Sequence, residues 1–279
     1  MISKSEIRYV KEGVELNCRS DGRDRLSFRS NLTLYADNKK SFLPQCHGSS
    51  KVTLDAFSVE CGVKCTIGKD EPASRIVCDV QLAGNDEDRE EEERHHTDVM
   101  NAMYEAALKD ESMKIVPEHG FSWVVYADVV VFGRTERLTS DLTSLAIVAA
   151  LKNARFPKIE VTNAEEDEFD IDHAAPQQRL PDSFPNTVPL CVTLARIGSH
   201  FVVDATSHEM KCSDLDLTVA VNGVGNICSV RKGGVQGCIS PDALISALKT
   251  AHIVATNLLR KTDESLSLST KKGSSVLSL

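Results

Sequence analysis

Asp204 and His208 stand four residues apart, just after a strand-like stretch, and together have the makings of an acid and base pair. No serine or cysteine near them sits in a nucleophile elbow, so the pair would have nothing to activate; Asp204 reads more simply as a polar residue ending a strand. Cys61 and Cys65 are also four apart. On a strand both thiols share one face, but no second pair of ligands at zinc spacing accompanies them, and structural thiols are the simpler account. His95-His96, beside a run of glutamates, reads as part of a solvated loop and could hold a metal only adventitiously. The glycines of Asn222-Gly-Val-Gly-Asn226 invite a phosphate-binding reading. A phosphate loop opens a helix, however, and this one joins the strand-like Leu217–Val221 to the strand-like Ile227–Arg231, so a hairpin is predicted. There is no P-loop, and no aromatic-glycine pattern of the base-stacking kind. No metal site and no cofactor is expected.

The elements that would position such residues fit in one large domain or two moderate ones, given 279 residues with 41% apolar and 26% charged. No apolar run has the length of a bilayer span, and Met1–Arg8 lacks the apolar core of a signal peptide, so the chain is expected inside the cell. Nine cysteines, an odd number, are expected as thiols in a reducing compartment, and the Asn31-Leu-Thr33 sequon as chance. The net charge of −9 is uneven. Residues 86–93 and 165–172 hold 13 of the 41 acids and 1 of the 32 bases, leaving 28 acids against 31 bases elsewhere. Contact with RNA is thus permitted without being indicated, and both acidic runs are expected in exposed, mobile loops or linkers.

Strands are predicted at 28–35, 51–55, 58–67, 76–82 and 123–132, and helices at 97–108, capped by Thr97-Asp98, and at 141–155, ended by Phe156-Pro157. Further strands are predicted at 190–196 and 201–204. A helix follows from Ser240-Pro241, with Leu244, Ile245, Leu248, Ala251, Ala255, Leu258 and Leu259 as its buried stripe. Ser3 and Glu6 have capping-box spacing, which starts a short helix leading into Val10 and Val14. The fold class is α+β with two sheet-and-helix units. An arm (1–26) precedes a first unit (27–160), an acidic, proline-bearing linker (161–189), a second unit (190–261) and a tail (262–279) expected to be disordered.

Ile7-Arg-Tyr-Val-Lys-Glu-Gly-Val14, then Arg19-Ser-Asp21-Gly22-Arg23 and Arg29, resembles the N-terminal arm and Asp-Gly-Arg signature of RNase PH family ring subunits. Gly48-Ser-Ser-Lys51-Val52, Gly62-Val-Lys64, Pro117-Glu-His119, Trp123–Asp128, Ala146–Leu151, Val202–Thr206 and Val230-Arg-Lys232 follow in family order, so that the resemblance spans about residues 1–260. It is similar to the RNA exosome ring subunits of the ribosomal-RNA-processing-protein-42 type. The resemblance implies an RNase PH-like fold of two β-α-β-α units. It also implies RNase PH-like paralogues as partners in a hetero-hexameric ring, RNA-binding cap subunits, a separate exosome nuclease and single-stranded RNA in the channel. Nucleus, nucleolus and cytoplasm are the implied locations, and Val10, Val14, Asp21, Arg23 and Arg29 the implied assembly residues.

Active members of that family cut RNA by phosphorolysis, holding phosphate in a Gly-Gly-Ser/Thr-Arg-like loop. Here Arg134-Thr-Glu-Arg137-Leu138-Thr139 stands in its place, with Leu138 and Thr139 where the hydroxyl and arginine belong. Active members also use two carboxylates. Asp204 matches the first, but Met210 occupies the second position, with Glu209 adjacent. The expectation is a non-catalytic structural subunit supporting 3′-to-5′ RNA processing and degradation, with Lys51, Lys64 and Arg137 as RNA-contact candidates. The rival is a phosphate-dependent 3′-to-5′ exoribonuclease, in which a shifted loop presents Arg137.

Overall fold

The computed structural model describes residues 3–36, 43–69, 75–84, 89–107, 114–116, 120–133, 139–156, 158–163, 168–172, 178–179, 186–233, 237–272 and 276–278. Alternating apolar residues build a seven-stranded sheet. It comprises β1 (Thr33–Tyr35), β2 (Gly48–Leu54), β3 (Phe57–Lys69), β4 (Arg75–Ala83), β5 (Lys114–Val116), β6 (Phe121–Phe132) and β15 (Val276–Ser278), in the order β15-β1-β2-β3-β6-β4 with β5 beside β6. The β4–β6 pair is parallel, and helix α2 (Arg89–Ala107) lies on the crossover that such a pair requires. A four-stranded antiparallel sheet follows, ordered β12 (His200–Val203), β11 (Leu190–Ile197), β13 (Leu215–Val221), β14 (Ile227–Gly233). The remaining strands form two small ladders. β7 (Arg155–Phe156) pairs with β10 (Gln178–Arg179), and β8 (Lys158–Asn163) with β9 (Glu168–Asp172).

Helix α3 (Thr139–Asn153) joins the two sheets. Leu142 to Leu151 are buried on every side, the pattern of a helix inside a core rather than on it, and one apolar cluster runs from Val59 and Val129 through Ala146 to Leu194 and Val219. Close approach sets its position against the first sheet. A Cβ on Gly48 would sit 2.3 Å from the Ala150 carbonyl oxygen, so only glycine lets β2 lie this near the helix. The next two residues fasten it: the Ser49 N–H donates to Asn153 Oδ1 (3.1 Å), and Ser50 Oγ donates to the Ala146 carbonyl (2.6 Å).

Helices also satisfy strand edges. Along β4 the N–H groups of Leu82, Val80 and Cys78 donate to Glu93, Thr97 and Asn101 of α2, at 2.8, 3.0 and 2.8 Å. Four helical residues rise about 6 Å and two strand residues about 6.6 Å, so an i, i+4, i+8 stripe keeps step with alternate strand donors. Above the end of β12, α3 does the same for β11: Cys191 N–H donates to Ser144 Oγ and Thr193 N–H to Asp141 Oδ2, each at 2.8 Å. These polar residues of α3 take the place of a strand.

Several expectations are corrected. Helix α2 begins at Arg89, not at Thr97, so the end of the first acidic run is helix rather than loop. Glu90, Glu91 and Glu92 occupy its first turn, where the helix dipole favours acids, and His95 and His96 also lie on it. Part of the second acidic run, expected in a linker, forms β9. The last helix, α5 (Pro241–Lys272), continues through the expected disordered tail because Thr262, Ser265 and Leu266 are buried, and residues 276–278 pair with β1. Ile245, assigned to the buried stripe of α5, is 51% exposed.

Candidate active-site region

The region around Asp204 is assembled from opposite ends of the chain. Strand β12 ends at Val203, and Asp204 turns the backbone through φ +47°, a left-handed conformation that aspartate tolerates better than most residues. Thr206 then caps α4 (Ser207–Cys212) in a complete capping box with Glu209. The arm supplies the other half. Helix α1 (Lys4–Glu15), opened by the Ser3–Glu6 capping box, packs Val10 and Val14 against Ala195, Ile197 and Val202 of the second sheet. The following loop turns at Gly22 (φ +80°) and brings Arg19, Arg23 and Arg29 back over the end of β12.

Asp204 is 0% exposed, and both its oxygens are taken. Oδ2 accepts from Arg23 Nη1 and from the Arg29 N–H, both at 2.8 Å; Oδ1 accepts from Arg29 Nη2 at 2.8 Å; Arg29 Nε reaches both oxygens. Arg29 also pairs with Asp55, in the β2–β3 turn. One guanidinium thereby links both sheets.

Beside it lies a second ion pair, still more buried. Arg19 meets Glu209 in a bidentate fork, Nε to Oε1 at 2.8 Å and Nη2 to Oε2 at 2.6 Å, with the side chains 0% and 1% exposed. The remaining Arg19 donors go to the carbonyls of Val203 (3.0 Å), Asp204 (2.9 Å) and Ser27 (3.4 Å). Burial would raise the Glu209 carboxyl, but the bonds from Arg19 and Thr206 outweigh it and hold the group below its ordinary value. Asp141, at the start of α3, goes the other way. Burial pushes it up to about 7, against the bonds it accepts from the Thr193 N–H and hydroxyl.

Met210, at the second carboxylate position, packs its side chain toward the Val10 and Val14 cluster. His208 is exposed on α4 and makes none of the Asp204 contacts, so the acid and base pair is not formed. Lys51 and Lys64 lie on the outer face of the seven-stranded sheet, Lys51 paired with Glu60 at 2.8 Å. Arg137 and Leu138 lie outside the described residues; Thr139 begins α3, and its side chain is outside them too. The five residues assigned to assembly, Val10, Val14, Asp21, Arg23 and Arg29, make contacts within this chain. All nine cysteines are free thiols, and burial pushes Cys78 to about 12. The sequence reading missed the Arg19–Glu209 pair, although Thr206-x-x-Glu209 has capping-box spacing and marks Glu209 as a fixed side chain.

Residues 37–157 match the first domain, and residues 187–254 the second domain, of the 3′ exoribonuclease family, RNase PH. A Dictyostelium discoideum protein described as a putative exosome complex exonuclease RRP42 is 29% identical over 95% of this chain and 98% of its own. A Pyrococcus horikoshii protein described as exosome complex component Rrp42 is 31% identical over 75% of this chain and 77% of its own. Among solved structures, an archaeal exosome core chain superposes with a TM-score of 0.64 at 23% identity, covering 93% of this chain and 96% of that one. With a two-domain match in family order and a relative of this identity over three quarters of its length, the chain belongs to the RNase PH family of 3′ exoribonucleases, among its Rrp42-type members.

Proposed function

We propose that this chain is a non-catalytic ring subunit of an RNA exosome, supporting 3′-to-5′ RNA processing beside RNase PH-like paralogues, cap subunits and a separate nuclease. Its relatives, described as exosome components, supply the assembly. The observation that carries the inert reading is Asp204. A fully buried carboxylate whose two oxygens both accept hydrogen bonds from Arg23 or Arg29 is poorly placed to protonate a leaving oxygen. Glu209, adjacent in sequence to Met210 at the second carboxylate position, is spent on Arg19. The subunit's part is then geometrical: it closes a ring that confines single-stranded RNA and passes it on. In a eukaryotic cell such a subunit works in nucleus, nucleolus and cytoplasm.

The description of the Dictyostelium relative as an exonuclease keeps a catalytic second reading, a phosphate-dependent exoribonuclease with Arg137 as its phosphate ligand. The two readings part on one experiment. The complex purified through this chain should contain RNase PH-like paralogues, and Arg137→Ala in this chain should leave its RNA decay within about twofold, where loss of a working phosphate ligand costs roughly 100-fold or more. Phosphate-dependent shortening of single-stranded RNA by the isolated wild-type chain would overturn the inert reading.

A further inference from the structure

Among the described residues, several strand edges of the two large sheets are covered by other parts of the chain. The β4 edge is satisfied by α2, the free half of β11 by α3, and β1 by β15. At β12 the arm does it: the Val203 N–H donates to the Arg25 carbonyl at 2.9 Å, and the Val203 carbonyl accepts from Arg19. β14 ends the four-stranded sheet, and among the described residues nothing pairs its outer side. An exposed seven-residue strand presents a row of unpaired N–H and C=O groups, which proteins normally cover or blunt.

The side chains along this edge describe what would cover it. Ile227 and Val230 are 41% and 44% exposed, standing opposite Val221 and Val219, which are buried. Arg231 and Lys232 are exposed, and β14 carries no acid. Arg231 spends one donor on His95 Nε2 at 3.0 Å; Lys232 has no ion-pair partner among the described residues. Basic side chains alone would suit an RNA backbone. Two aliphatic side chains beside an unpaired backbone suit a polypeptide strand instead.

We propose that β14 is an assembly edge, which takes an extended segment, bearing apolar and acidic residues, from a neighbouring RNase PH-like chain. The chemistry exists within the fold: β9 of this chain reads Glu-Phe-Asp-Ile-Asp. This rests on the ring membership proposed above and assigns it a surface.

The test uses the native complex purified through the full-length chain. A zero-length carbodiimide crosslink, which joins an amine to a carboxylate in contact, should connect Lys232 to an aspartate or glutamate of one RNase PH-like neighbour. Arg231→Glu with Lys232→Glu should lower recovery of the neighbours at least tenfold, while Val224→Glu, at the exposed hairpin tip, should not. Both variants should keep the melting temperature of the wild-type chain. An assembled ring with no Lys232 crosslink and undiminished recovery of the double variant overturns the assignment, as does ultraviolet crosslinking of Lys232 to RNA in its place. If the wild-type chain brings down no RNase PH-like neighbour, ring membership itself fails, and this assignment with it.

Discussion

At the residue scale, Asp204 is a structural anchor, fully buried and bonded to two arginines of the N-terminal segment. Substituting it should cost stability, because Asp204→Asn removes the buried charge that Arg23 and Arg29 share and leaves them only the more exposed Asp21 and Asp55. Arg19 offers a cleaner case. Arg19→Met should destabilise by about 3–5 kcal/mol, measured by denaturant unfolding, since it strands Glu209 as an uncompensated buried charge. Adding Glu209→Met should restore much of that loss, because a buried ion pair replaced whole by apolar residues is often close to neutral. A double variant as unstable as the sum of the single ones would show that the pair contributes little beyond its separate contacts. Asp204 was legible in the sequence as a position; its burial was not. Its partners lie 175 and 181 residues away, and nothing local to Val202–Thr206 announces two arginines.

Among the elements, α2 shows a similar divide. Its apolar spacing over Val99, Met100 and Met103 announces a helix, and those residues are buried. The two earlier turns were hidden by charge, since a run of glutamates reads as solvated loop until a strand edge is placed beside it. Glu93, Thr97 and Asn101 make sense only as donors' partners for β4. Asn101→Leu should therefore cost roughly 1–3 kcal/mol, because both the N–H and the C=O of Cys78 lose their partner. Hydrogen exchange should report it locally, with the Cys78 amide accelerated more than those of β3. Gly48-Ser-Ser was legible only as a family motif. Its physical content is the contact with α3, and Gly48→Ala should destabilise by at least about 2 kcal/mol, as a methyl group meets the backbone of Ala150. Helix α5 outran its predicted end for the opposite reason: Thr262 and Ser265 are polar enough to suggest a tail, yet Thr262 donates its hydroxyl to the Leu258 carbonyl and is buried.

For the molecule as a whole, two buried carboxyls fix opposite flanks of the pH profile. Asp141 holds its proton more tightly folded (about 7) than unfolded (3.8), so between these values the native state binds more protons and stability falls as pH rises, by up to about 4 kcal/mol. Glu209, held below 4.5, adds stability above that value that is lost as pH falls through its folded pKa. From these two groups maximum stability is expected near pH 4, and Asp141→Asn should flatten the decline between about pH 4 and 7 in thermal unfolding. The amide suits the site: it can accept from the Thr193 N–H and donate to the Thr193 hydroxyl, which bonds Thr218 in turn. A pH profile equally steep in the variant would place the titrating group elsewhere. The α+β class and the order of the strands were legible because alternation and turn residues are local. The joining of the two sheets through α3, and of the arm to both, was not.

The same arm has a consequence for synthesis. Arg19, Arg23 and Arg29 leave the ribosome about 175–190 residues ahead of the acids that receive them. At roughly 5–20 residues per second, that interval is on the order of 10–40 s. For that time the first sheet can form while its N-terminal arm has nowhere to dock, and the molecule closes only when its oldest residues meet some of its youngest.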